Sequence, residues 1–378
     1  MSKNKLFLIN AHPGGNLGAE AMLTVLLKAL YNDAEVASKF DFVIEEISES
    51  RLTKGFLEAN NVSAAITTFS PRKVFKCYSL EAKAGDVVID VGGISYQGAS
   101  IRSNLRNFIR HHFFLRRHVK IFFFTQDFGP PTGALTKVFA KIVMRRAEAI
   151  FVRSQQSKAL LESVIGVSPR IMGPYPDVTF RLRCGDQEGI PTEKYDLAVV
   201  PSAILFNQYG DQYLSALEFV IRNFQGGKKI MIITHNFTSN GSSSDSQVVA
   251  MLKSRLSDLE YLDSIEHRMS AIAIKAVIGQ SSCVLTSRYH ALVGALSQSI
   301  PAVALGWSHK YEEVLRIYGL QDASLPTELW VEDADSILRK INEVLSKKVV
   351  QKLEAKNKEN IKLVDESIER IKMLVLEA

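Results

Sequence analysis

Asp86-Val87-Val88-Ile89-Asp90-Val91-Gly92-Gly93 reads as a strand, apolar on both faces, that runs into a double glycine. A strand without a polar face belongs inside a sheet covered on both sides, and such sheets are parallel. The same form recurs on either side of it. Lys5–Asn10, Asp41–Ile47, Lys120–Thr125 and Ala149–Arg153 are further short apolar runs. Helical periodicity fills much of the space between them, as over Ala19–Leu30, Arg102–Phe114 and Leu135–Arg146. This alternation predicts an α/β unit with a doubly wound parallel sheet.

The pattern weakens at Arg181–Lys194, a polar stretch with Gly185, Gly189 and Pro191, and then restarts. Tyr195–Val200, Lys229–Thr234, Cys283–Thr286 and Ala302–Leu305 are the next strands. Leu214–Asn223, Ser246–Leu256, Ile272–Ile278 and Ala291–Ser297 are the helices expected between them. A chain of 378 residues exceeds what one hydrophobic core usually serves. The reading is two Rossmann-like lobes, residues 1–185 and 190–348, with ligands in an interdomain cleft at the carboxyl ends of the strands. A charged helix over residues 349–378 closes the chain. Its stripe of Ile361, Val364, Ile368, Ile371 and Val375 is expected to pack on the protein, with an oligomer seam as the minor alternative.

An apolar fraction of 46% and a charged fraction of 23% describe an ordinary globular chain. A net charge of +6 suits an anionic small molecule or an acidic surface, and is no nucleic-acid footprint. Cys77, Cys184 and Cys283 are few and far apart, as reduced thiols in a cytoplasmic protein would be. The apolar run Leu6–Ile9 is too short for a signal peptide, and no stretch approaches a membrane span.

Chemistry gathers where strands end. His12-Pro13-Gly14-Gly15-Asn16-Leu17-Gly18 is a glycine-rich turn at a helix start, suited to an anion or to close ligand approach but without P-loop or dinucleotide spacing. A tight structural turn is its bland reading. Asp90 with Gly92 and Gly93, Gln126 before Gly129-Pro130, and Arg153 before Ser154 and Ser157 occupy the same kind of position. Arg153, at a strand tip, is a candidate for holding a phosphate or carboxylate, with a structural salt bridge as the alternative. His235 ends another strand, with Asp245 beyond the loop that follows it. The strongest segment is Thr286-Ser287-Arg288-Tyr289-His290, which enters a helix; the next strand is followed by Lys310. Arg, His and Lys from adjacent turns suit a small polyanion. No His, Cys and carboxylate cluster has metal-ligand spacing, and neither metal nor cofactor is expected.

With these motifs in hand, the sequence resembles the polysaccharide pyruvyl transferase family. The resemblance runs in order through Gly15-Asn16-Leu17-Gly18, Asp90-Val91-Gly92-Gly93, Gln126 with Gly129-Pro130, and Val152-Arg153-Ser154. It continues through Pro176-Asp177-Val178-Thr179-Phe180, His235 with Asp245, Ser287-Arg288-Tyr289-His290-Ala291, Ile300-Pro301-Ala302-Val303 and Lys310. It implies a GT-B-like pair of lobes and the transfer of the pyruvyl group of phosphoenolpyruvate onto two sugar hydroxyls, making a ketal and releasing phosphate. It implies that Arg153, Arg288, His290 and Lys310 contact phosphoenolpyruvate, with Arg288 and His290 catalytic. Gly15, Asn16, Glu20, Asp90, Gly92, Gly93, Gln126 and His235 are expected on the cleft and acceptor side. Where the family loop reads Gly-Asp-Glu-Ala, this chain has Gly18-Ala19-Glu20-Ala21, so either Glu20 or Asp90 takes over on the acceptor side or the activity differs.

Two other functions compete: a GT-B glycosyltransferase using a nucleotide-sugar, and a catalytically silent carbohydrate-binding homologue. The acceptor that the resemblance implies is a sugar of a polysaccharide, of another glycan or of a lipid-linked precursor. Phe108–Arg117 and Lys137–Arg146 are basic and apolar together. They read either as core-facing helices with solvated charges or as a peripheral face at the inner side of the membrane.

Overall fold

A computed structural model describes residues 3–11, 13–45, 50–62, 67–69, 82–96, 101–129, 133–184, 192–224, 228–237 and 244–378. His12, Cys77, Pro130, Gly185, Gly189, Pro191 and most of the loop after His235 lie outside these. The chain forms two compact units. One comprises residues 1–14, 19–181 and 361–378, the other residues 15–18 and 182–360.

In the first unit, β1 (Asn4–Ile9), β2 (Phe40–Glu45), β3 (Thr67–Phe69), β4 (Val87–Asp90), β5 (Ile94–Ser95), β6 (Lys120–Phe128), β7 (Ala149–Val152) and β8 (Ile171–Met172) build one parallel sheet. Its order is β3-β2-β1-β4-β6-β7-β8, with β5 paired to β6. The second unit holds β9 (Leu197–Val200), β10 (Ile230–Ile233), β11 (Leu262–Ile265), β12 (Val284–Thr286), β13 (Ala302–Leu305) and β14 (Ser324–Leu325). Its sheet is also parallel, in the order β11-β10-β9-β12-β13-β14. The doubly apolar runs are buried as the sequence requires: every residue of β4, β7, β9, β10 and β13 is buried. Each is covered on both faces, so both sets of alternating side chains meet a core.

The sheet order also locates the chemistry. The first sheet grows outward from β1 and then restarts at β4 beside it; the second grows outward from β9 and restarts at β12. Loops leaving the carboxyl ends of such strand pairs diverge in opposite directions, which opens a crevice where ligands of parallel sheets bind.

The closing helix, Lys347–Leu376, buries Val364, Ile368, Ile371 and Val375. Its second half is tied to the first unit through Arg181 to Asp365 (2.7 Å) and Lys372 to Asp33 (3.6 Å). In its first half, buried Asn357 donates to the Leu296 carbonyl (2.7 Å) and accepts from the Tyr318 hydroxyl (2.6 Å). Among the described residues no helix is long and apolar enough to cross a membrane.

Candidate functional site

At the point where the first sheet reverses its order, Asn10 follows β1 and Asp90 ends β4. The Asp90 carboxylate, fully buried, accepts four hydrogen bonds. Oδ1 receives the Gly92 amide (2.8 Å) and Gln126 Nε2 (2.7 Å); Oδ2 receives Asn10 Nδ2 (2.6 Å) and His111 Nε2 (2.7 Å). The other ring nitrogen of His111 meets the Tyr96 hydroxyl at 2.8 Å, and Arg110 donates to Asn10 Oδ1. Burial by itself would raise the Asp90 carboxyl. The hydrogen bond and charge of His111, with the Gly92 and Asn10 donors, outweigh it and hold the group below the usual carboxylate range. Burial, and then the Asp90 charge, push the Tyr96 phenol well above its ordinary value.

Backbone strain surrounds this network. Asn10, Tyr96 and Thr125 have φ of 62°, 52° and 46°. Asparagine tolerates the left-handed region, but tyrosine and β-branched threonine do not adopt it readily. Thr125 lies where the β6–β7 register shifts between Phe123 and Gln126, the irregularity that turns Gln126 toward Asp90.

Arg153 lies at the tip of β7 as expected, and its guanidinium is buried. It pairs with Asp127 (3.0 Å) and with Asp177, and it donates to the Gly93 carbonyl. Asp177 is further engaged by the Thr179 amide (2.8 Å) and hydroxyl (2.6 Å). Arg153 thus ties three segments of the first unit together.

In the second unit the reversal of strand order falls between β9 and β12, and the segment Thr286–His290 leaves β12 there. Thr286 Oγ1 accepts the Arg288 amide (2.9 Å) and so makes the turn into the helix Tyr289–Leu296. Two buried tyrosines clamp Ser287: the Tyr213 hydroxyl donates to its Oγ (2.8 Å) and the Tyr311 hydroxyl to its carbonyl (2.7 Å). Arg288 pairs with Asp245, the first residue of the helix Asp245–Arg255, and Asp245 also accepts the Ala203 amide (2.8 Å). Burial raises the Asp245 carboxyl despite Arg288. The Arg288 Nε remains a buried donor with no hydrogen-bond partner among the described residues.

Residues 15–18 are counted with this unit, and the contacts show why. Asn16 bridges Asn236, the Phe237 amide donates to the Gly15 carbonyl (2.8 Å), and Asn16 Oδ1 accepts the Gly18 amide (3.0 Å). Gly18 lies against the His290 ring, where a Cβ at position 18 would fall 2.0 Å from Nδ1. His235 is buried close by. Burial, then the charges of His290 and Arg288, push its imidazole down to about 3, so it is neutral near pH 7. Lys310 completes the group, its ammonium 5.2 Å from the Tyr289 ring centroid and 5.1 Å from that of Trp307.

Of the residues singled out from sequence, the second unit therefore joins Gly15, Asn16, His235, Arg288, His290 and Lys310. The first joins Asp90, Gly92 and Gln126 in one network and Gly93 with Arg153 in another. Glu20 is buried in the helix Leu17–Tyr31. Asn10, Tyr96, Arg110 and His111 in the first unit, and Tyr213 and Tyr311 in the second, went unrecognised. His111 sits within an apolar and basic helical run, and nothing local sets it apart from its neighbour His112. Cys184 and Cys283 are free thiols, and burial raises Cys283 to about 12, which makes it inert.

Two parallel-sheet α/β units, each with a polar cluster where its strand order reverses, make this a GT-B-fold protein. Solved structures with the same architecture include the UDP-GlcNAc 2-epimerase of Neisseria meningitidis bound to UDP-GlcNAc. It has a TM-score of 0.66 at 12% identity, over 99% of this chain and 100% of that one. The UDP-GlcNAc 2-epimerase of Methanocaldococcus jannaschii in complex with UDP-GlcNAc and UDP matches with a TM-score of 0.64 at 12% identity, over 92% and 94%. An S. aureus TarM mutant in complex with Fondaparinux, alpha-GlcNAc-glycerol and UDP matches with a TM-score of 0.60 at 9% identity, over the whole of both chains. At these identities the likeness is one of fold. No curated protein matches the sequence significantly. The sequence does match the family description "polysaccharide pyruvyl transferase" over residues 16–309, and the chain belongs to that family.

Proposed function

We propose that the protein transfers the pyruvyl group of phosphoenolpyruvate onto two hydroxyls of a glycan or lipid-linked sugar, forming a cyclic ketal and releasing phosphate. The observation that carries this is the convergence, in the second unit, of Arg288, His290 and Lys310 on one end of a parallel sheet. Phosphoenolpyruvate bears a carboxylate and a phosphate, and a site for it needs cations from separate elements. Arg288, oriented by Asp245 and with a buried Nε still to be satisfied, is the proposed anion clamp; Lys310 supplies the second charge.

The reaction moves two protons. The methylene carbon of the donor gains one and becomes a methyl; the adjacent carbon forms two bonds to sugar oxygens as its bond to the phosphate oxygen breaks. Of the two hydroxyl protons lost, one balances the methyl and the other leaves with phosphate. His290 is the proposed proton carrier, since an imidazole can give and take a proton near neutral pH. His235, held neutral, adds no further positive charge beside Arg288. The cations stabilise the departing phosphate. Arg153, engaged by two carboxylates, is better read as a framework residue of the first unit than as a donor ligand. Fully buried Asp90 is likewise better read as an organiser of His111 and Gln126 than as a base acting on sugar.

The fold relatives bound to UDP and UDP-GlcNAc support a second reading, transfer from a nucleotide-sugar. The deciding assay incubates the protein with phosphoenolpyruvate and a panel of acceptor sugars. Acceptor-dependent phosphate release, with the acceptor gaining the mass of one pyruvyl group, is the expected result. Release of UDP from UDP-GlcNAc, with no phosphate from phosphoenolpyruvate, would overturn the assignment. If neither donor turns over and none binds, the silent carbohydrate-binding reading takes its place.

A further inference from the structure

The helices Ile101–Arg116 and Ala134–Met144 of the first unit lie side by side. Buried Asn104 donates to Thr136 (3.4 Å), and Phe108 stacks on Phe139 with ring centroids 4.5 Å apart. One face of each enters the core, through His111, Phe113, Phe114 and Leu115 and through Thr136, Ala140, Val143 and Met144. That face satisfies the core-facing reading of these segments, yet large aliphatic side chains remain outside. Ile101 is 49% exposed, Leu105 42%, Leu135 60%, Val138 48% and Ile142 38%.

Their placement is ordered. At about 100° per residue, Ile101 and Leu105 lie on the side of their helix next to the Asn104 and Phe108 seam. Leu135 and Ile142 lie next to Phe139 on the other helix, with Val138 just beyond. The exposed residues thus form one aliphatic strip over the Phe108–Phe139 junction. Beyond Leu105 come Arg102 and Arg106, and beyond Val138 come Lys137 and Lys141, all exposed. Neither helix contains an aspartate or glutamate, while the chain as a whole carries 40 of them. Apolar residues bordered on both sides by charge of one sign match a surface that is anionic at the rim and hydrocarbon beneath.

We infer that this strip docks the protein peripherally on an anionic lipid bilayer, with the two helices lying in the headgroup layer. The inference does not depend on the donor proposed above. It is tested by co-sedimenting the full-length protein with vesicles of phosphatidylcholine alone and of phosphatidylcholine mixed with phosphatidylglycerol. Wild type is expected to sediment with the anionic vesicles at low salt and to stay in solution with the neutral ones. High salt weakens the binding by screening.

Leu135→Glu/Ile142→Glu should lower binding by about tenfold or more, since both apolar anchors are lost and two anions are added. Lys137→Gln/Lys141→Gln should lower it by about fivefold per lysine, and Lys348→Gln, in the second unit, should leave it unchanged. Val138→Asp reads the same face if the double variant fails to fold. Wild type remaining in solution with anionic vesicles overturns the inference, as does undiminished binding by the strip variants. A wild-type oligomer that the strip variants dissolve also overturns it, since the face would then belong to a second copy of the chain.

Discussion

Gly18 has no side chain because the His290 ring occupies the space one would fill. A methyl there would have to displace the imidazole, with its Cβ only 2.0 Å from Nδ1. Gly18→Ala is therefore expected to cut turnover by at least about tenfold through mispositioning. His290→Ala is expected to cut it by about 10²–10⁴-fold, the usual scale of acid–base catalysis. Steady-state phosphate release measures both, and unchanged rates in either variant would remove His290 from the chemistry. His235 carries a pH signature of its own. Its folded imidazole protonates near 3, against 6.5 in the open chain. Between those values the unfolded state binds the extra proton. Stability is therefore complete above about pH 6.5 and declines as pH falls, by at most about 1.4 kcal/mol per pH unit. Urea unfolding at pH 5 and pH 7 should show that slope flattened in His235→Gln.

Among the elements, strands were easier to read than their ends. Every doubly apolar run became a strand because burial on both faces leaves a mark that composition alone preserves. The strands over Leu262–Ile265 and Ile171–Met172 carry no such mark, being partly exposed and at or next to sheet edges. The helix after β12 starts at Tyr289, two residues before the periodicity suggests, because Thr286 accepts the Arg288 amide and turns the chain early. Arg153 shows a sharper limit. Its position at a strand tip was legible, but its partners Asp127 and Asp177 come from other segments and only folding brings them to it. Arg153→Ala leaves two buried carboxylates without their cation and should cost about 3–5 kcal/mol, measured by denaturant unfolding. A loss of phosphoenolpyruvate affinity with unchanged stability would instead restore Arg153 to the donor site. In the closing helix, Ile371→Ala should cost about 2–5 kcal/mol, the range for opening a cavity at a fully buried isoleucine.

For the whole molecule, ligand linkage is the most direct check on the proposed donor. Phosphoenolpyruvate at a hundredfold excess over its dissociation constant should stabilise the native chain by about 2.7 kcal/mol. Arg288→Lys, which loses the planar fork, should weaken that shift in thermal unfolding. UDP producing the shift in place of phosphoenolpyruvate would favour the nucleotide-sugar reading. What the sequence alone determined were local properties: which runs are buried on both faces, that a second α/β unit follows the first, and that Arg288, His290 and Lys310 leave the ends of successive strands. Periodicity and apolar content are written residue by residue, and so they survive without coordinates. Which groups share a hydrogen bond was decided by the tertiary structure. Strand order put Asn10 beside Asp90, and a bulge in β6 turned Gln126 toward them. Helix packing delivered His111 to the same carboxylate, and Asp245 met Arg288 across 43 residues of chain. Such pairings depend on where the sheet reverses its order, a property of the assembled strands that no single stretch of sequence contains.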